Sequence, residues 1–192
     1  MASLVLSGDT SGSVTLSAPA VAGSNTQTLV ATTGTLAPIV SGTAVTASGT
    51  TVDFTSLPSW VKRITVLLDG VSTNGTSNIL CRIGTGGTVT ATGYSGNTTT
   101  LTNAAAVAVT DATTSLVVAA TTSAANICVS TVVWSKLSGN TWVGTSSGRT
   151  AATVATIGNV SVTLSGALDI LRILTGNGTD TFDAGTINIL YE

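Results

Sequence analysis

The residues that could do chemistry in this chain form a short roster. Its 192 residues include eight Asp and Glu, six Lys and Arg, two Cys and no His. Without imidazole there is no Ser-His-Asp relay and no His-ligated metal. A Ser–Lys mechanism would need Lys62 or Lys136 buried beside a serine. Ser135 and Lys136 are neighbours in sequence, which sends them to opposite faces of a strand. A glycosidase needs two carboxylates roughly 5–10 Å apart across a cleft. Asp169, Asp180 and Asp183 are close enough in sequence to be considered, and a polysaccharide-degrading enzyme is the reading they would support. Their surroundings predict turns instead. In Asn177-Gly178-Thr179-Asp180 and Asp183-Ala184-Gly185 the side chains are placed to bond nearby backbone. Asn177, Thr179, Asp180 and Asp183 could also offer oxygens to Ca²⁺, but their spacing matches no defined calcium loop. Gly84-Thr85-Gly86-Gly87 lacks the lysine and helix of a phosphate loop and is expected to be a turn between strands. The expectation is a chain with no catalytic residues, no metal and no cofactor.

Binding chemistry falls to seven aromatics. Trp60 follows Leu57-Pro58-Ser59 and is expected in the core or as a wedge between subunits. Trp134 and Trp142 flank Gly139-Asn140 and are expected to pack in the core against each other across a hairpin. Tyr94, on a Gly-rich stretch, is expected to be the exposed aromatic and is the candidate contact for a receptor glycan. Cys81 and Cys128 sit in apolar runs, Ile79-Leu80-Cys81-Arg82-Ile83 and Ile127-Cys128-Val129. Two buried free thiols are expected; a disulfide is the alternative.

The elements that position these residues follow from composition. Charged residues make up 7% of the chain, net charge is -2, and 39 Thr, 22 Ser and 21 Gly take the remaining polar share. Ordinary domains carry roughly 25% charge. Mean hydropathy is +0.52, without the ~18 consecutive apolar residues of a membrane helix. Disorder would need low hydropathy and high net charge. No basic patch is large enough to neutralise a nucleic-acid backbone. Thr, Val and Ile favour strands over helices. Met1 to Gly8 lacks the basic and apolar regions of an export signal, so synthesis in a cytoplasm is expected.

Strand-like runs recur along the chain. They include Ser13–Ser17, Thr28–Ala31, Ile64–Leu68, Ile79–Ile83, Val89–Tyr94, Ala106–Val109, Asn126–Lys136, Thr141–Val143, Val160–Leu164, Leu168–Leu174 and Thr186–Tyr191. Asp69-Gly70, Asn74-Gly75 and Ser138-Gly139-Asn140 are expected turns, and most of Asn97 to Thr114 is expected to be a long loop. Roughly eight to ten short strands at close spacing predict an all-β, antiparallel sandwich or barrel. Leu168–Leu174 is apolar on both faces, which predicts a second buried surface against copies of the same chain. Residues 1–60 carry only Asp9 and Asp53 as charges. Their strands are too short to close a core. The expected organisation is an extended N-terminal stem over 1–41 and a β-sandwich head over 42–192.

Three runs carry a family resemblance. They are Val52-Asp53-Phe54-Thr55-Ser56-Leu57-Pro58-Ser59-Trp60-Val61-Lys62-Arg63-Ile64-Thr65-Val66, then Asp69-Gly70-Val71-Ser72-Thr73-Asn74-Gly75-Thr76-Ser77-Asn78, and the ending Gly178-Thr179-Asp180-Thr181-Phe182-Asp183-Ala184-Gly185-Thr186-Ile187-Asn188-Ile189-Leu190-Tyr191-Glu192. Together they resemble segments of tailed-bacteriophage fibre and virion structural proteins. Ser11 to Gly23 is similar to a low-complexity segment of phage fibres. The resemblance implies a jelly-roll-like β-sandwich head, a homotrimer, a place on the virion surface and no catalytic residues. The expected partners are other virion proteins met through the stem, either a tail or baseplate adaptor or the major capsid protein, and host surface glycan. A short tail fibre is the first expectation; a capsid decoration protein or head fibre at local threefold axes is the alternative.

Overall fold

The structure, a computed structural model, describes residues 3–7, 11–17, 38–103, 107–121 and 123–192. The chain divides into two compact units, Met1–Leu36 and Ala37–Glu192. In the first, β1 (Ser3–Ser7) and β2 (Ser13–Ser17) pair as an antiparallel hairpin. Gly12, at φ 78°, supplies the left-handed residue before β2. The expected strand Thr28–Ala31 and the rest of the expected stem from 18 to 37 lie outside the described residues.

The second unit is all-β, with no helix among the described residues. Its strands are β3 (Val40–Ser41), β4 (Val45–Thr46), β5 (Thr51–Phe54), β6 (Arg63–Thr73), β7 (Ile79–Thr85), β8 (Thr88–Val89) and β9 (Ser95–Thr102). β10 (Val107–Asp111), β11 (Leu116–Ala119), β12 (Cys128–Ser138), β13 (Thr141–Ala151), β14 (Val154–Thr163), β15 (Ile170–Thr175) and β16 (Phe182–Tyr191) complete the order. A nine-stranded sheet runs β10-β9-β14-β13-β12-β6-β16, with β3 and β4 pairing separate stretches of β16. A five-stranded sheet runs β11-β7-β15-β5, with β8 added to β7. All pairings are antiparallel.

Alternation in the sequence decides which side chains meet between the sheets. In β6, Ile64, Val66 and Leu68 are buried while Arg63, Leu67 and Asp69 are exposed. The large sheet contributes Trp134, Trp142, Val132 and Ile187 to the core; Cys81, Ile83, Leu116, Leu171 and Ile173 answer from the small sheet. The two faces are fitted closely where β11 crosses the large sheet: Ser146 Oγ donates to the Val117 carbonyl at 2.6 Å. The expected boundary at residues 41 and 42 stands beside a division between Leu36 and Ala37, and Val40–Ser41 pair with Tyr191 and Leu190.

Three local expectations are corrected. Asp69-Gly70 is not a turn. β6 runs through it to Thr73, with Gly70 at φ 66° and register shifts against both β12 and β16 nearby. Pairing on both sides turns the Asp-Gly signal into a bulge within a strand. Asn97 to Thr114 is not a long loop, because β9 and β10 form a hairpin there. The expected strand Val89–Tyr94 ends at Val89, and Tyr94 N instead donates to the Thr113 carbonyl at 3.3 Å.

Candidate functional site

The carboxylates considered for catalysis stand at opposite ends of β15. Asp169 precedes the strand and accepts from Gly87 N at 3.1 Å. Asp180 and Asp183 follow it. A six-residue strand spans roughly 20 Å, twice the greatest separation a glycosidase pair uses. Asp180 instead joins two turns. Its carboxylate accepts from Ser77 N at 2.9 Å. Asn74 Oδ1 accepts from Thr181 N at 2.8 Å, and Asn74 N donates to the Thr181 carbonyl at 3.0 Å. Asn177 Oδ1 accepts from Thr179 N at 3.0 Å and from Asp180 N at 2.9 Å. Hydrogen bonding by Asn177, then by Ser77 N–H, holds the Asp180 carboxyl below the ordinary value. Asp183 accepts from Ser72 Oγ. Side-chain oxygens of Asn177, Asp180 and Asp183 thus accept hydrogen bonds from their own chain, as the turn reading expects. Ser135 is exposed and Lys136 half-buried.

Tyr94 corrects the expectation of an exposed aromatic. It is 4% exposed, and its hydroxyl accepts from Ile83 N at 3.1 Å. Its ring meets Trp134 edge-on, with centroids 6.3 Å apart and planes at 70°. A residue so enclosed offers no face to a glycan. Trp134 Nε1 donates to Cys81 Sγ at 3.3 Å. The Trp134 ring lies over Gly144, its cross-strand partner, where a Cβ would come within 2.6 Å of ring carbons. Trp134 and Trp142 are both buried as expected, but glycine, not Trp142, receives the Trp134 ring. Cys81 and Cys128 are free and buried. Burial pushes both thiols up to about 12, and for Cys81 the Trp134 hydrogen bond opposes that rise. Neither is a nucleophile at neutral pH.

Trp60 is not in the core, the first of its two expected places. It is 42% exposed and leans on Tyr191, with centroids 5.8 Å apart and planes at 44°. A turn closed by Val61 N donating to the Pro58 carbonyl at 3.1 Å lifts it out, and Val61 fills the core in its place.

What remains is the outer face of the large sheet. Directly opposed residues of an antiparallel pair share a face, so the registers trace rows across it. One row runs from Asn188 through Leu67, Thr131, Ser147, Ile157 and Thr99 to Val109, crossing seven strands without a charge. The next row toward the β6 bulge contains Val129, Arg149, Ala155, Leu101 and Val107. Leu67 is 41% exposed, Val129 44%, Ile157 39%, Val107 64% and Val109 60%. Shallow hollows open on this face, one of about 290 Å³ between Asn97, Val143 and Asn159, another of about 330 Å³ between Leu101, Arg149 and Val154.

The outer face of the small sheet is built differently. Arg172 stands between Asp53 and Arg82 as cross-strand neighbours. Its Nε and Nη2 donate to the two Asp53 carboxylate oxygens at 2.6 Å each, and this hydrogen bonding raises its already high pKa. Arg82 Nε donates to the Thr114 carbonyl at 3.0 Å.

No expectation from the sequence singled out the aliphatic outer face. Its signal was present in the strand alternation, where Leu67 and Ile157 occupy positions that a solvated strand fills with charge. In comparisons with protein-family models, curated proteins and solved structures, none matches the chain.

Proposed function

We propose that this chain is a tailed-phage virion structural protein, a short homotrimeric tail fibre on the particle surface that touches the host surface with its head. The observation that carries the reading is the convergence of the three resembling runs. Separated by as much as a hundred residues in sequence, they form one body: β6 pairs with β16, and the loop after β6 is clipped to the turn before β16 through Asn74, Ser77, Asp180 and Thr181. A second support is connectivity. From β5 to β16 the chain passes repeatedly between the two sheets, which fits a jelly-roll-like head.

In this reading residues 1–41 form the stem, which meets a tail or baseplate adaptor by strand addition. Small Ser, Thr, Ala and Gly side chains let backbones approach for such pairing. The protein acts by position and carries out no catalysis. Decoration of the capsid at local threefold axes is the competing placement.

A particle reconstruction that locates the chain tests the proposal. Few copies at the tail support the fibre. A set at every local threefold axis of the head gives the decoration reading instead, and absence from the particle overturns both. Deletion of residues 1–36, which spares β3, is expected to leave the head folded and to abolish incorporation.

A further inference from the structure

We infer that the outer face of the large sheet is the surface through which this chain meets other copies of itself. The inference rests on the homotrimeric reading above and names its interface.

Charge supplies the first argument. Interface centres are depleted in charged residues. The face keeps its charges away from the row through Leu67 and Ile157: Arg63, Asp69, Asp111 and Arg149 stand in the other rows, and Arg63 is already paired with Glu192. Single exposed aliphatics are ordinary on any protein. Here several share one face, in two groups on either side of Ser147 and Arg149: Leu67 with Val129, and Ile157 with Leu101, Val107 and Val109; exposed aliphatics gathered in this way mark an interaction site.

Area supplies the second. Seven strands at ~4.8 Å spacing and four rows at ~6.8 Å steps give roughly 600 Å² of plane, near the ~800 Å² per partner of a standard interface. A small ligand would need far less.

The occupant follows from the balance of the rim. Arg63 and Glu192 offset one another, and Arg149 against Asp69 and Asp111 leaves the face close to neutral, so a strongly charged partner would find little to complement. Three copies of the same nearly neutral face can converge on a threefold axis without opposing strong charges, and a net charge of -2 gives copies little mutual repulsion.

The test measures the mass of the full chain by light scattering at micromolar concentration. Wild type is expected as a trimer. Leu67→Lys and Ile157→Lys each place an unpaired cation in the row without charge. Both sites are exposed in the single chain, so the fold should persist by circular dichroism while the mass falls to that of a monomer. Thr51→Lys, on the exposed edge of the small sheet, should remain a trimer. If Ile157→Lys fails to fold, Ile157→Thr takes its place, with trimer dissociation expected about tenfold easier from the apolar area lost. A wild-type trimer that both lysine variants retain overturns this inference and leaves the trimeric reading standing. A wild-type monomer overturns both. A monomer whose lysine variants alone fail to join particles would assign the face to another virion protein, which also overturns the inference.

Discussion

The two sheets of the second unit share one core but turn unlike faces outward. The small sheet presents a charged line, Asp53–Arg172–Arg82, with the central guanidinium held by two bonds of 2.6 Å, and the aliphatic row beside it, Leu174–Leu80–Val117, is half-buried or buried in the single chain. The large sheet presents a row from Asn188 to Val109 with no charge in seven strands. Both faces were made from the same charge-poor composition. Six cations cannot solvate two broad sheets, so their placement carries information. A face given an ion pair in its middle is suited to water. A face given Leu67, Val129 and Ile157 is suited to another surface.

The contrast presumes that the inner faces lock the sheets together, and the largest expected effect tests that. Trp134 is fully buried, so Trp134→Ala should cost about 3–5 kcal/mol in urea unfolding. A loss under about 1 kcal/mol would mean the sheets are held elsewhere. Next comes Gly144→Ala, which drives a methyl to within 2.6 Å of the Trp134 ring. It should cost about 1–3 kcal/mol; wild-type stability would show that the ring does not rest on the glycine.

A smaller effect probes the charged face. Asp53→Asn leaves Arg172 beside Arg82 without its carboxylate. Because both partners of the pair are about a third exposed, the cost should be at most about 1 kcal/mol and should shrink in high salt. An unchanged midpoint at low salt would remove the ion pair from the account. The lysine substitutions on the opposite face should change monomer stability by no more than about 0.5 kcal/mol, so a larger loss there would mean the face supports the single chain.

The smallest effect is in pH. The Asp180 carboxyl lies below its ordinary value in the fold, so its contribution is complete above the ordinary carboxylate range and is lost as pH falls through the folded value. Hydrogen exchange at Ser77 N–H should quicken beyond its ordinary pH trend in acid, and Asp180→Asn should abolish that extra acid dependence. Equal behaviour of the two proteins would break the clip between the turns.

Much of the sandwich was legible because it alternates. Ile64, Val66 and Leu68 announced β6, and Ile79 to Ile83 announced β7. β9 was not legible. Its Ser95–Thr102 run is Thr, Asn, Ser and Gly with Leu101 alone as a large aliphatic, and it becomes a strand by pairing with β14 on one side and β10 on the other. The Asp69-Gly70 signal was real but local; neighbours on both sides decided between turn and bulge. The turn chemistry of Asn177 and Asp180 was readable from residue types, whereas their partners Asn74 and Ser77, a hundred residues away, were not. Tyr94 went inside and Trp60 stayed outside the core because burial of an aromatic depends on which strands cross over it. Gly-rich flanks say nothing of that.

The most direct measurement of the central claim is an experimental structure of the assembled protein, read for which outer face is covered. The account predicts Leu67, Thr131 and Ile157 buried against other copies, with Arg82 and Arg172 in water. A structure that leaves the row from Asn188 to Val109 in solvent and buries the Asp53–Arg172–Arg82 line would contradict it.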